Sequence, residues 1–309
     1  MSASTPGAAA RPLDEVARAL ATPRASAGFG TLDLGPMPDR EVVLRCIDRL
    51  HRALLAEVQS DSAIAVPSAE ELRQELAAVQ SSLVTQVQQA FSAYDRVHGR
   101  SRAADTVATA ARDVVQALIE VMPDLRERMF EDAEAAWRSD PSCHHPVEAL
   151  YSFPGLYAVT RHRFAHLLYQ HDVPLLSRLI AEQTHQLTGI DIHAGASVGR
   201  RFFIDHGTGV VIGETTVIGD GVTLYQGVTL GAKSFQVDAF GNLVKGVPRH
   251  PIVGNDVTIY ANATVLGRVT IGRGSVIGGN VWLTRSVPPG SRIFQADVRE
   301  SGYESGAGI

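Results

Sequence analysis

Cysteine is almost missing from this 309-residue chain: Cys46 and Cys143 are the only two. Two widely separated thiols provide neither a disulfide framework nor a paired zinc-ligand spacing, so a reducing, cytoplasmic home is expected. Aromatic residues reach only 6%. No run approaches the roughly 18 apolar residues of a membrane span, so no membrane association is expected. Positive charge is not in excess either: 28 Lys and Arg stand against 33 Asp and Glu, for a net charge of −5. That balance argues against nucleic acid as a partner. The first thirty residues lack a basic start and an apolar core and carry Asp14 and Glu15, so they do not read as a secretion signal. What the chain has is 45% hydrophobic residues and 28 glycines, enough apolar material for a sizeable core.

Three styles of sequence follow one another. Residues 1–37 mix Ala, Ser, Gly and Pro without a sustained period and are expected to be a mobile segment. From 38 to 188 the period is helical. Val43, Ile47, Leu50 and Leu54 recur at helical steps after a cap at Asp39. Ser68 stands three residues before Glu71, a capping box that opens a stripe of Leu72, Leu76, Val79, Leu83 and Val87. Further helices are predicted over 103–121, 124–138, 156–170 and 175–186, with a break at Pro141–Pro146.

At Gly189 aliphatic residues begin to recur every sixth position. They are Ile192, Val198 and Ile204; then Ile212, Ile218, Leu224 and Leu230; then Val253, Ile259, Val265, Ile271, Ile277 and Leu283. Six fits neither a helix nor a simple alternating strand. It fits a solenoid in which each hexapeptide is one short strand and a corner, three to a triangular coil. The β-solenoid is expected over 189–289, with 290–309 as a tail. Two breaks interrupt the repeat: two extra residues around His206–Gly209, and a long loop excursion over 232–252 carrying Lys233, Lys245, Arg249 and His250. A regular coil needs no insertions, so polar residues clustered at both breaks point to function there.

The motifs in order are Gly189-Ile-Asp-Ile-His193, Phe203-Ile-Asp-His-Gly-Thr-Gly209, Ile212-Gly-Glu-Thr215, Gln226-Gly-Val-Thr-Leu-Gly231 and Arg249-His-Pro251. From about 140 to 289 the chain resembles the serine O-acetyltransferase family, within the hexapeptide-repeat acyltransferases. The resemblance implies an α+β fold, an α-helical domain followed by a left-handed parallel β-helix. It implies acetyl transfer from acetyl-CoA to the L-serine hydroxyl, giving O-acetylserine for cysteine synthesis. It also implies a homotrimer or hexamer, with active sites between neighbouring β-helices.

Serine's hydroxyl needs a base, and histidine suits that work near neutral pH. The resemblance puts the base at His206, oriented by Asp191. The serine ammonium would meet Asp205 and Asp140, and its carboxylate Arg249 and His250. The CoA arm would pass Gly231, Ala232, Ala261 and Gly279. Here the sequence departs from the family, reading Gly231-Ala-Lys-Ser-Phe235 where a glycine-rich segment is typical. Ile309 matches family tails that dock into O-acetylserine sulfhydrylase (cysteine synthase). His193, His206 and His250 are a set of the kind that holds zinc in some β-helices, but their flanking residues match the transferase, so no metal is expected. Two alternatives stay open: an acyltransferase acting on another hydroxyl such as that of homoserine, and a non-catalytic scaffold for cysteine synthase.

Overall fold

Local signals written at the helix starts shape the first half of the molecule. The computed structural model describes residues 12–21, 35–56 and 67–295. Within the segment read as mobile, α1 (Leu13–Ala21) is helical and buries none of its residues. At α2 (Arg40–Leu54), Asp39 Oδ1 accepts the N–H groups of Glu41 and Val42, at 2.9 and 3.0 Å. At α3 (Ala69–Val97), both halves of the Ser68–Glu71 capping box form. Then come α4 (Ala104–Glu120), α5 (Met122–Ser139), α6 (Pro146–Ser152), α7 (Pro154–Gln170) and α8 (Leu176–Thr188). Val43, Ile47, Leu50, Leu54, Val79, Leu83 and Val87 are buried in one helical core.

The second half is the solenoid, a left-handed parallel β-helix. Its first coil is β1 (Asp191–Ile192), β2 (Ser197–Val198) and β3 (Phe203–Ile204); its second is β4 (Val211–Ile212), β5 (Val217–Ile218) and β6 (Thr223–Leu224). The third is β7 (Thr229–Gly231), β8 (Ile252–Val253) and β9 (Thr258–Ile259). The fourth is β10 (Thr264–Leu266), β11 (Thr270–Ile271) and β12 (Val276–Ile277), and the last holds β13 (Trp282–Leu283) and β14 (Arg292–Ile293). All pairing between these strands is parallel, in three faces. Face one is β1-β4-β7-β10-β13, face two β2-β5-β8-β11, and face three β3-β6-β9-β12-β14.

Each of the thirteen predicted aliphatics is the second residue of a two-residue strand or the middle one of a three-residue strand. All but the half-buried Val198 are buried, stacked along the axis. The coil runs past the expected boundary at 289, because Ile293 pairs with Ile277 and adds a strand after a ten-residue step from Leu283. The proposed anchor Ile309 lies outside the described residues. Among the described residues no helix is long and apolar enough to cross a membrane.

An ionic seam joins the two halves. Asp132 of α5 is fully buried; it takes a hydrogen bond from Arg163 of α7 at 2.5 Å and one from the Phe202 N–H at 2.9 Å. Arg200 of the first coil reaches Glu131 and Asp124 of α5 at 2.7 and 2.6 Å. The end of α5, Asp140, is thereby held against the first coil.

Candidate active site

The prism has three edges, and the candidate residues fall on two of them. Where face three turns into face one, the first coil carries the insertion after β3. There His206 has φ +58°, a left-handed conformation uncommon for a residue with a side chain, and is 70% exposed. Gly207 follows at φ +86°, where an added Cβ would lie 2.5 Å from Ile190 Cδ1. The backbone here is fixed from both sides, so the imidazole projects from the regular coil. Asp205 Oδ2 lies 3.9 Å from His206 Nε2.

Asp140 reaches the same edge from the end of α5. Its Oδ1 accepts from the Ser142 N–H and Oγ–H at 2.8 and 2.7 Å. These two bonds hold its carboxyl below the usual carboxylate range, and His206 nearby adds to the effect. Higher on the same edge stand Ala261 of the third coil and Gly279 of the fourth. A Cβ at Gly279 would approach Ala261 O to 3.2 Å, so small residues keep this stretch of edge open to a ligand chain.

Asp191 opens β1, beside this edge and in register with Val211. Among the ion pairs of the described residues His206 is joined to Asp205, and none joins it to Asp191.

The second edge lies where face one turns into face two. It carries Gly231 and Ala232, where the excursion departs, and Arg249 and His250, where it returns. Arg249 Nη2 meets Glu214 Oε2 at 2.6 Å, and Tyr169 of α7 donates its hydroxyl to Glu214 Oε1 at 3.0 Å. Burial pushes the Glu214 carboxyl up, but the bonds from Arg249 and Tyr169 outweigh it and leave the group below its ordinary value.

His250 is buried. Its Nδ1 accepts the Thr215 N–H at 3.1 Å, and Thr215 Oγ1 accepts the N–H groups of Arg249 and His250 at 2.9 and 3.1 Å. Burial, then the neighbouring Arg249 charge, lower the His250 pKa to about 4. The ring is neutral at pH 7 with Nε2 protonated, a donor suited to an anionic oxygen. Gly213 makes room for it: a Cβ there would sit 2.1 Å from His250 Cδ2.

The sequence assigned no role to Glu214, Thr215 or Tyr169. Glu214 and Thr215 belong to a quoted motif, but their partners come from across the excursion and from α7. The site residues therefore form two half-sites on different edges. One holds an exposed imidazole, two carboxylates and a small-residue strip; the other holds a guanidinium, a neutral imidazole donor and the start of the excursion.

Comparison with known proteins adds the chemistry. Residues 250–285 match the family model described as bacterial transferase hexapeptide (six repeats). The chain is 57% identical over 199 residues to the plasmid serine acetyltransferase of Synechococcus elongatus, covering 64% of this chain and 62% of that relative. It is 48% identical over 165 residues to the serine acetyltransferase of Mycobacterium tuberculosis, covering 53% of this chain and 68% of the relative. Its structure superposes on serine acetyltransferase isoform 3 of Entamoeba histolytica, solved in complex with cysteine. There the TM-score is 0.69 at 28% identity, over 94% of this chain and 92% of that one.

Proposed function

The chain belongs to the serine acetyltransferase family, and from that premise we propose that it transfers an acetyl group from acetyl-CoA to the hydroxyl of L-serine, giving O-acetylserine and free CoA. Asp140 and Asp205 receive the serine ammonium. Arg249, steadied by Glu214, and the neutral His250 donor hold its carboxylate. His206 takes the hydroxyl proton as the new C–O bond forms, and passes it to the departing thiolate of CoA. Acetyl-CoA, when bound, supplies the acetyl group and the thiol leaving group. Its arm runs along the strip at Ala261 and Gly279 on one chain and past Gly231 and Ala232 on the next. Asp191 supports the imidazolium from its place in β1 beside the edge.

The observation that carries this reading is the split of a complete amino-acid site over two edges of one prism. A cyclic trimer sets the third-to-first edge of one chain against the first-to-second edge of its neighbour, so each interface completes one site. Cysteine, held by the Entamoeba relative, differs from serine only in sulfur for oxygen, which fits an acceptor of this size.

The test is CoA release from acetyl-CoA with L-serine, L-homoserine and simple sugars as acceptors, for the wild type and His206→Ala. Turnover with serine that falls by about 10²–10⁴ in the variant supports the assignment. Preference for another acceptor would replace the substrate, and an active His206→Ala protein would remove the base.

A further inference from the structure

The His206 edge carries aromatic side chains besides the reacting groups. On face three, Asp205, Tyr225 and Tyr260 each follow a buried strand residue and are at least partly exposed, and from coil to coil they form a ladder. The backbone holds the ladder in register, with the N–H groups of Asp205, Tyr225 and Tyr260 donating to Leu224, Ile259 and Ile277 at 2.8, 3.0 and 2.8 Å. Neighbouring rungs are therefore about 4.8 Å apart.

The rings of Tyr225 and Tyr260 stack, 5.0 Å between centroids and 14° between planes. Tyr225 is half-buried, and the charges of both Asp205 and Asp140 act on its hydroxyl. It thus stands one rung above the first carboxylate and within reach of the second, with a phenol clamped from above by Tyr260. A lone tyrosine on a coil edge could swing aside for a larger ligand. One held face to face against a neighbour cannot do so without losing the stack.

We infer that Tyr225, braced by Tyr260, is the acceptor-size wall of the pocket made by Asp140, Asp205 and His206. It admits the one-carbon hydroxymethyl arm of serine and excludes the longer arm of homoserine. This rests on the serine acetyltransferase reading above and deepens it, because it names what limits the substrate rather than what reacts. Tyr225 is a specificity residue: it bounds the space in which the hydroxyl meets His206, and takes and gives no proton.

The experiment compares kcat/KM for L-serine and L-homoserine in the wild type, Tyr225→Phe, Tyr225→Ala and Tyr260→Ala. Far-UV circular dichroism and sedimentation are run on each. One methylene in a confined pocket is worth about 10–200-fold in discrimination. Tyr225→Ala should narrow the serine preference by at least about tenfold on that scale, through a gain with homoserine. Tyr225→Phe keeps the ring and the stack and should keep the ratio, while Tyr260→Ala should narrow it by a smaller factor. A folded Tyr225→Ala protein with the wild-type ratio would overturn the assignment, as would a Tyr225→Phe protein that loses the ratio. Wild-type protein that does not turn over serine would strike at the reaction itself, so the two failures are told apart. If Tyr225→Ala does not fold, Tyr225→Leu, which removes the flat ring but keeps bulk, carries the same expectation at reduced size.

Discussion

The residues that define the site differ in how their positions are secured. His206 depends on backbone: a left-handed φ and a following glycine turn its ring away from the coil. His250 depends on neighbours, with Thr215 occupying its Nδ1 and burial removing its charge, so that Nε2 is left as a donor. Gly213 is the hidden member of that arrangement, because any side chain there would enter the His250 ring. Gly213→Ala is therefore expected to raise the KM for serine about tenfold or more with a smaller change in kcat, as the loss of one charge-assisted bond implies. Steady-state kinetics on the folded variant checks this. A KM within twofold of wild type would show that the ring has another place to sit. From sequence, Gly213 reads as one more repeat glycine, and nothing in its neighbours distinguishes it; the reason for it arrives from thirty-seven positions downstream, at His250.

At the scale of elements, repetition made the second half of the chain legible. A buried position every six residues calls for a three-sided coil, and each predicted aliphatic lies in a strand. Ile293 escaped because Pro288, Pro289 and Gly290 stretch the last step to ten residues. The seven-residue helix α6 escaped because Pro146 reads as a breaker, whereas it occupies the first turn, where a missing N–H costs nothing. Handedness came from the family resemblance and not from the period, since six-residue spacing suits either hand.

The seam between α5 and the first coil could not be read at all. Asp132, Arg163, Arg200 and Glu131 look like ordinary helix and corner charges until the fold brings them together. The seam also sets Asp140 against the His206 edge. Asp132→Ala would leave Arg163 and the Phe202 N–H without their buried partner, and should destabilise the protein by about 3–5 kcal/mol. Denaturant unfolding of the variant measures this. A loss below about 1 kcal/mol, the range of exposed pairs, would mean that water replaces the carboxylate and that the seam is not a fastening.

Across the whole molecule, the proposed function has one chain carry two halves of a site and complete neither. The same prism displays His206 with two carboxylates on one edge and the Arg249–His250 pair on another, and the excursion starts and ends beside the second. In the proposed trimer each neighbour supplies what the other lacks, so the ring rather than the chain would be the enzyme. The most direct measurement is complementation between two disabled proteins. His206→Ala and Arg249→Ala, carrying different tags, are co-expressed and the mixed oligomers isolated through both tags. Each variant alone should be nearly inactive. In a mixed trimer one interface of the ring joins an intact His206 to an intact Arg249, so serine-dependent CoA release should return to roughly a third of the wild-type rate. Mixed oligomers no more active than either parent would contradict the account, because the two residues would then have to serve one site from one chain.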